Sequence, residues 1–179
     1  TAYDSSGISG LGNEKLTLSG STSVANANTL AADTTGVITA TITETAASTL
    51  ATLTETTNAY TITVGDTSVT AANLNTIDGA TTVAVTATAV TTITGAASAV
   101  NTAYASSGIN GLGNEAVTLS DTTLGVATLN TLNGNTTGVV NAATVATLTG
   151  AASAMNTAYT AGGNSEISGL GNEAITLDD

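Results

Sequence analysis

The residues of this chain that could do chemistry are its 13 acidic side chains, because it contains no histidine and no cysteine. Three glutamates, Glu14, Glu115 and Glu173, each close a copy of the phrase Gly-Leu-Gly-Asn-Glu. The phrase matches in outline the calcium nonapeptide Gly-Gly-x-Gly-x-Asp-x-apolar-x. With Asp121, which follows the second copy, these glutamates are the candidate ligands for calcium, and we predict no other cofactor.

A structural alternative fits the same phrase, and we favour it. Each copy lacks the first glycine of the nonapeptide and has Glu where the motif has Asp. The copies also stand roughly 50 or more residues apart, whereas the calcium motif works in tandem turns that share ions. In this alternative the glycines form a turn that leads into a strand, and the glutamate lies on the surface.

Catalysis is not predicted for any of these side chains. A nucleophile is usually activated by an adjacent base, and the conventional pairs need His or Cys. Glycosidases use paired carboxylates, but the acidic residues here recur at repeat-equivalent positions, whereas an active site occurs once. We therefore predict that the chain is not an enzyme and has no catalytic residue.

Charge and hydropathy exclude several partners. The net charge is −12 with a single basic residue, Lys15, so nucleic acid and anionic lipid would repel the chain. No stretch has the roughly 18 uninterrupted apolar residues of a membrane-spanning helix, and we predict no membrane insertion. The absence of cysteine fits an extracellular protein but also many cytosolic ones.

Internal repetition is the strongest signal in the sequence. One phrase begins with Thr-Ala-Tyr and ends with Gly-Leu-Gly-Asn-Glu, at residues 1–14, 102–115 and 157–173. A second phrase joins Asn-Thr-(Leu/Ile) to Thr-Thr, at residues 28–35, 75–82 and 130–137. A third ends in Thr-(Leu/Ile)-Thr, at residues 50–54, 90–94 and 145–149. The order is constant, which predicts one array of about three units of ~50 residues, 1–65, 66–120 and 121–179, each made of two half-units.

Each half-unit reads as a strand followed by a short helix. The predicted strands alternate Val, Ile or Leu with Thr or Ala, and they are Leu16–Ser19, Val37–Thr43, Tyr60–Val64, Val83–Ala87, Ala116–Ser120, Val139–Ala142 and Ala174–Leu177. Asp66 and Asp121 follow two strands and are predicted N-caps of the next helix. Gly79 and Gly134 are predicted to end the shorter helices.

Two longer stretches show helical spacing of apolar residues. The predicted helical faces are Val90, Ile93, Ala97, Val100 and Tyr104, and Val145, Leu148, Ala152, Met155 and Tyr159. Ala favours a helix but the many Thr residues weaken it, so these helices should be short and depend on packing.

Strand–helix units of about 20 to 30 residues cannot bury their own apolar faces, whereas stacked units share a continuous core. We therefore predict an α/β repeat fold, a solenoid of strand–short helix units with a parallel sheet. A single globular α/β domain and an all-β solenoid are the alternatives.

Three phrases carry a resemblance to known proteins, at residues 111–121, 129–138 and 148–152. They resemble repeats in very large surface proteins of marine cyanobacteria and other Gram-negative bacteria. The resemblance implies an exported, calcium-associated protein linked to adhesion, motility or the cell envelope, and it supplies no catalytic residue.

We therefore expect a structural or adhesive repeat module of a cell-surface or extracellular filament, with a calcium-dependent surface or matrix module as the alternative. Its expected partners are neighbouring repeats, with head-to-tail self-association. The chain opens inside a phrase, since Thr1 lacks the Asn that precedes the later copies at Asn101 and Asn156. We expect a segment of a longer array, because natural arrays close with atypical polar repeats.

Overall fold

A computed structural model describes residues 2–3 and 6–178 of the chain. In this part of the chain there are six helices: α1 Val24–Asp33, α2 Ala47–Leu50, α3 Ala71–Gly79, α4 Ala97–Ala105, α5 Val126–Asn135 and α6 Ala152–Gly163. None of them has the length and hydropathy that a membrane-spanning helix needs.

Short strands lie between the helices. They are β1 Leu16–Thr22, β2 Ile38–Ile42, β3 Ala59–Thr61, β4 Ser68–Thr70, β5 Val85–Thr86, β6 Thr92–Gly95, β7 Ile109–Asn110, β8 Ala116–Leu119, β9 Thr123–Gly125, β10 Val140–Asn141, β11 Thr147–Gly150, β12 Ile167–Ser168 and β13 Ala174–Leu177. The predicted α/β class is therefore correct, and the all-β alternative is wrong.

Every strand pairing is parallel. The strand orders are β1-β2-β3, β12-β10-β8-β6-β4, β13-β11-β9 and β5-β7. Ile93 of β6 lies beside Val117 of β8, and Val140 of β10 lies beside Ile167 of β12. Paired residues are roughly 20 to 27 positions apart throughout, which leaves room for one short crossover between neighbouring strands.

The core is thin because it is built from small and branched side chains. Strand β2 shows how: Ile38, Ala40 and Ile42 point inward and are buried, while Thr39 and Thr41 are exposed. This alternation is what a strand with one buried face requires. The helices add Ala, Val and Leu from their inner faces, and the only fully buried aromatic side chain in the described residues is Tyr60.

All seven predicted strands overlap a strand of the structure, but the two predicted helical faces are wrong in their first half. Ile93 and Leu148 lie in β6 and β11. Each strand ends at a glycine in the left-handed region, Gly95 with φ +146° and Gly150 with φ +136°, so a helix can begin only afterwards. The remaining predicted positions lie in helices, namely Ala97, Val100 and Tyr104 in α4, and Ala152, Met155 and Tyr159 in α6.

The predicted helix ends are correct in one case of two. Helix α3 ends at Gly79, whereas α5 continues one residue beyond Gly134. The predicted caps are wrong: the N-cap of α3 is Thr70, whose Oγ1 accepts a hydrogen bond from the N–H of Asn73, and the N-cap of α5 is Gly125.

Candidate functional site

The glutamate of the Gly-Leu-Gly-Asn-Glu phrase folds back over its own turn. In the second copy, Glu115 Oε2 accepts hydrogen bonds from the backbone N–H of Gly113 (2.8 Å) and of Asn114 (3.1 Å). It also accepts the phenol hydrogen of Tyr104, at the end of α4, at 3.0 Å. Glu115 is 0% exposed, so the prediction of a surface glutamate is wrong here. The carboxylate ties a glycine turn to the preceding helix.

The other two copies repeat this contact. Glu14 accepts from the N–H of Gly12 (2.7 Å) and from the hydroxyl of Tyr3 (3.2 Å). Glu173 accepts from the N–H of Gly171 (2.9 Å) and from the hydroxyl of Tyr159 (2.9 Å). Both glutamates are half-buried. The third copy keeps the contact although its tyrosine and glutamate are three residues further apart in sequence, 14 instead of 11.

These contacts shift the pKa values of the participating groups. The N–H of Gly12 donates to Glu14 and holds its pKa below the ordinary value. Desolvation raises the pKa of Glu173, but the N–H of Gly171 and the Tyr159 hydroxyl outweigh it, so its pKa is also lowered. Burial raises the pKa of Tyr104, and its bond to Glu115 acts in the same direction. The turns of Glu14 and Glu173 therefore favour an ionised carboxylate, and the burial of Tyr104 favours its neutral phenol.

The four candidate calcium ligands do not come together. Asp121 bonds to the start of α4, and each glutamate serves its own turn. Glu115 and Glu173 directly precede β8 and β13, which lie in different sheets. In the described part of the chain no three acidic side chains form a group that could hold a metal ion, whereas calcium takes six to eight oxygen ligands.

We predict that calcium does not stabilise the chain. A site with a millimolar Kd would add about 1.4 kcal/mol at tenfold excess, which corresponds to a rise of about 3–6 °C in Tm at this size. We expect the Tm in 10 mM calcium to stay within about 1 °C of its value in magnesium at the same ionic strength. A rise confined to calcium that disappears in Glu115→Gln or Glu173→Gln would contradict this prediction.

Asp66 and Asp121 do cap helices, but each caps the helix before the one predicted, and Glu44 caps a helix although no cap was predicted for it. Asp66 Oδ2 accepts from the N–H of Ala47, the first residue of α2, at 2.6 Å, and Asp121 Oδ2 accepts from Ala97 of α4 at 2.8 Å. Glu44 Oε2 accepts from Val24 of α1 at 3.0 Å. A carboxylate at a helix N-terminus satisfies an orphan donor and complements the helix dipole. Here that donor lies roughly 20 residues earlier in the chain, so the cap also joins neighbouring crossovers.

Asp66→Ala is expected to lower the free energy of unfolding by about 1 kcal/mol, the usual effect of losing an N-cap side chain. Asp66→Asn keeps an acceptor oxygen and loses only the charge that complements the helix dipole, so it should cost about 0.5 kcal/mol. Urea unfolding followed by circular dichroism measures both. Glu55→Ala removes the same charge from an exposed position, and equal losses in Asp66→Ala and Glu55→Ala would argue against a cap.

Acid should destabilise the fold through Glu14, Glu44 and Glu173. Desolvation raises the pKa of Glu44, but the N–H of Val24 and the Thr43 hydroxyl lower it further, so the net shift is downward. The folded pKa of each glutamate lies below the ordinary value of 4.5. Their contribution is therefore present above pH ~4.5 and is lost as pH falls through the folded values. We expect a flat Tm from pH 7 to about 5.5 and a decline below about 4.5, with a shallower decline in Glu44→Gln.

Pairs of threonines make a second recurring contact, which we call the Thr-Thr clasp. In the pair Thr136–Thr137, the first hydroxyl donates to the carbonyl of Glu115 (2.7 Å) and the second N–H donates to the carbonyl of Gly113 (2.9 Å). Thr34–Thr35 clasp the carbonyls of Glu14 and Gly12 at 2.9 and 2.8 Å. Thr81–Thr82 clasp those of Tyr60 and Asn58 at 2.7 and 2.9 Å. The sequence showed the Thr-Thr pairs but not their partners.

Asparagines on the helices make a third recurring contact, which we call the asparagine bridge. Each side-chain amide donates to a carbonyl of the next helix or of the turn that ends it. The four bridges run from Asn28 to Thr52, Asn75 to Ala99, Asn101 to Thr128 and Asn130 to Ala154, at 2.8–3.1 Å. The signal in the sequence was the repeated Asn-Thr dipeptide, which indicated the length of the repeat but not a bonding partner for the asparagine.

Few titratable side chains line the clefts of the described surface, and Glu166 lines two of them. A cleft of about 500 Å³ is lined by Val139, Tyr159 and small residues of the last segments, and Tyr159 is its one titratable group. Another lies along Thr70, Gly95 and Leu119 and has no titratable lining side chain. Polar side chains of the repeated phrases instead bond to neighbouring backbone.

Comparisons with protein-family models, with curated proteins and with solved structures returned no match.

Proposed function

We propose that the chain is a structural spacer module of a cell-surface or extracellular filament, built as a solenoid of strand–helix coils and without catalytic activity. The observation that carries this proposal is the recurrence of three contacts, each with a nearly constant sequence separation between its partners. The partners are 11 to 14 residues apart in the glutamate turn, in which Glu14, Glu115 or Glu173 bonds to its own turn and to a tyrosine. They are 20 or 21 residues apart in the hydroxyl bond of the Thr-Thr clasp and 24 to 27 apart in the asparagine bridge. Each contact joins a segment to itself or to the adjacent segment.

The strand register supports the solenoid. Each strand pairs with the strand that lies one crossover further along the chain. Asparagine bridges link α3, α4, α5 and α6 in series. A coil that contacts only its two neighbours is the arrangement of repeat proteins, in which stability is a sum of coil and interface terms. Such an array holds its ends apart at a distance set by the number of coils.

The proposed location is outside the cell, and the polar, acidic surface fits it. Exposed strand positions are mostly Thr and Ser. The net charge of −12 favours a solvated surface on which like charges keep neighbouring molecules apart in solution. Because the chain has no cysteine, an oxidising environment would not cross-link it. The resemblance to giant bacterial surface proteins points to the same place.

Internal duplication of one unit tests the proposal. Residues 102–156 start at the Thr-Ala-Tyr phrase and end just before its next copy at Thr157, so a second copy of 102–156 can be inserted after Asn156 in register. We expect a folded protein whose maximum dimension in small-angle X-ray scattering grows by about 10 Å, two strand spacings, at constant cross-section.

Two and three insertions should each add the same length. A scrambled insertion of the same composition is the matched control and should fray instead. Growth in all directions, following the size law of compact domains, would rule out a spacer built as a solenoid.

A further inference from the structure

We infer that the C-terminal edge of the molecule, formed by α6, the turn Gly169–Glu173 and β13, is a docking site for one kind of polypeptide coil outside residues 1–179. That coil consists of a helix followed by Thr-Thr-Gly and an apolar strand. This inference rests on the proposed function, because it treats the edge as an unfilled coil interface.

The three glutamate turns differ in what clasps them. The first two copies each hold a Thr-Thr clasp, on the carbonyls of Gly12 and Glu14 and on those of Gly113 and Glu115. The third copy has the same sequence and the same carboxylate contacts. Among the described residues, however, none donates to the carbonyls of Gly171 or Glu173. One clasp site is therefore open.

Two further donors at this edge lack the partners of their equivalents. Asn101 on α4 bridges to Thr128 at 3.1 Å, and its equivalent on α6, Asn156, makes no side-chain bridge within the described chain. The N–H of Val117 donates to Val139 at 3.0 Å. Its equivalent is Ile175 of β13. Among the described strands β13 pairs with β11 alone, and it uses the N–H of Ala174 for that pairing. The N–H of Ile175 therefore faces the open side, because successive N–H groups of a strand point to opposite sides.

Burial shows the same asymmetry. Val117 and Leu119 of β8 are 0% and 2% exposed, whereas the equivalent Ile175 and Leu177 of β13 are 43% and 52% exposed. The two strands share the pattern Ala-apolar-Thr-Leu, so their sequences do not explain the difference. Strand β8 is covered by the following segment, which contains β10, whereas β13 lies at the edge of its sheet. An open strand edge beside exposed apolar side chains is a template for another strand.

The glycine of the covering coil makes the choice of partner specific. A Cβ at Gly138 would overlap the backbone of Glu115, and one at Gly36 would overlap the backbone of Glu14. The covering segment therefore approaches backbone to backbone, which only glycine allows. A second copy of the chain does not fit this site, because its first described segment contains a glutamate turn and its own Thr34–Gly36 is already engaged with Glu14.

The test adds one coil. Asp179 is the sequence equivalent of Asp121, so residues 122–146 can follow Asp179 in register. We expect the added coil to dock and to slow amide hydrogen exchange of Ile175 at least about 100-fold, as for a buried strand. With Gly138→Val in the added copy alone, the protection should be lost, and with Gly134→Ala in that copy it should be kept. Protection of Val117 reports that the original coils remain folded in every variant.

Three results would overturn the inference. They are an unprotected Ile175 beside a protected Val117, equal protection with the valine variant, and protection of Ile175 in the unextended chain on dimerisation. The insertion experiment on the spacer function leaves this edge unchanged, so the two proposals can fail separately.

Discussion

Gly138→Ala is expected to destabilise the chain by about 3 kcal/mol, the upper part of the range for overpacking a tight contact. The added Cβ would lie well inside 3.0 Å of the carbonyl of Glu115. Its neighbours are backbone atoms of β8 and its turn, which cannot rotate away as a side chain would. Relief requires separating Thr136 from Glu115, and with it the clasp.

Thermal unfolding followed by circular dichroism should show a fall in Tm of about 6–12 °C for this variant. Gly134→Ala is the matched control: the site lies in α5, has open space around it and has no positive φ, so alanine should stabilise by about 0.5–1 kcal/mol. Gly36→Ala should repeat the loss seen at Gly138. Equal small effects at Gly134 and Gly138 would contradict the close backbone approach.

Glu115→Ala is expected to cost about 3–4 kcal/mol. The variant leaves the N–H groups of Gly113 and Asn114 and the hydroxyl of Tyr104 without their acceptor, and the carboxylate that it removes is itself 0% exposed. A fully buried donor left unsatisfied costs about 1–3 kcal/mol. The sum is smaller here because the three donors are only partly buried and share one oxygen. The turn before β8 should lose its fixed shape, and the Thr136 clasp should loosen with it.

Glu173→Ala is the matched control, since it removes the same carboxylate from the same phrase at a half-exposed position, and it should cost only about 1 kcal/mol. Glu115→Gln should fall between the two. It keeps one acceptor oxygen but places an NH₂ where Oε1 has no partner among the described residues. Chemical denaturation at pH 7 measures all three, and an equal cost at Glu115 and Glu173 would argue against burial as the cause.

Seven of the thirteen strands in the described residues could be predicted because the alternation of Val, Ile or Leu with Thr or Ala is a local property of a pleated strand. Strands β4, β7, β9 and β12 were not predicted, because two or three residues are too short to show that alternation. Strands β6 and β11 could not be predicted either, because Thr-Ile-Thr-Gly and Thr-Leu-Thr-Gly stand next to Ala-rich helices, and their apolar residues continue the helical spacing by coincidence. The positive φ of Gly95 and Gly150 ends each strand before the helix begins. The sequence alone does not show this, because glycine adopts positive and negative φ about equally readily.

The candidate site could be predicted in its residues but not in its bonds. Glu14, Glu115 and Glu173 were identified from the phrase, yet their tyrosine partners lie in another element, 11 or 14 residues earlier. One signal was available: Thr-Ala-Tyr precedes every Gly-Leu-Gly-Asn-Glu. Where that phrase is missing, Tyr60 bonds instead with the amide of Asn58. The prediction that Asp66 and Asp121 cap the helix that follows them was wrong, because it assumed a cap close in sequence. The register of the parallel strands instead places each aspartate beside the first residue of an earlier helix.

The nearly uniform separation of paired strands also bears on how the chain folds. Parallel sheets are usually slow to form, because distant segments must meet, with a loss of chain entropy, before the contacts between them can offset that loss. Here Leu16 meets Ile38 and Leu148 meets Ile175 across loops of similar size, so each closure costs about the same entropy. The cost of a closure is thus set by the length of one crossover, and it would not rise with the number of crossovers added.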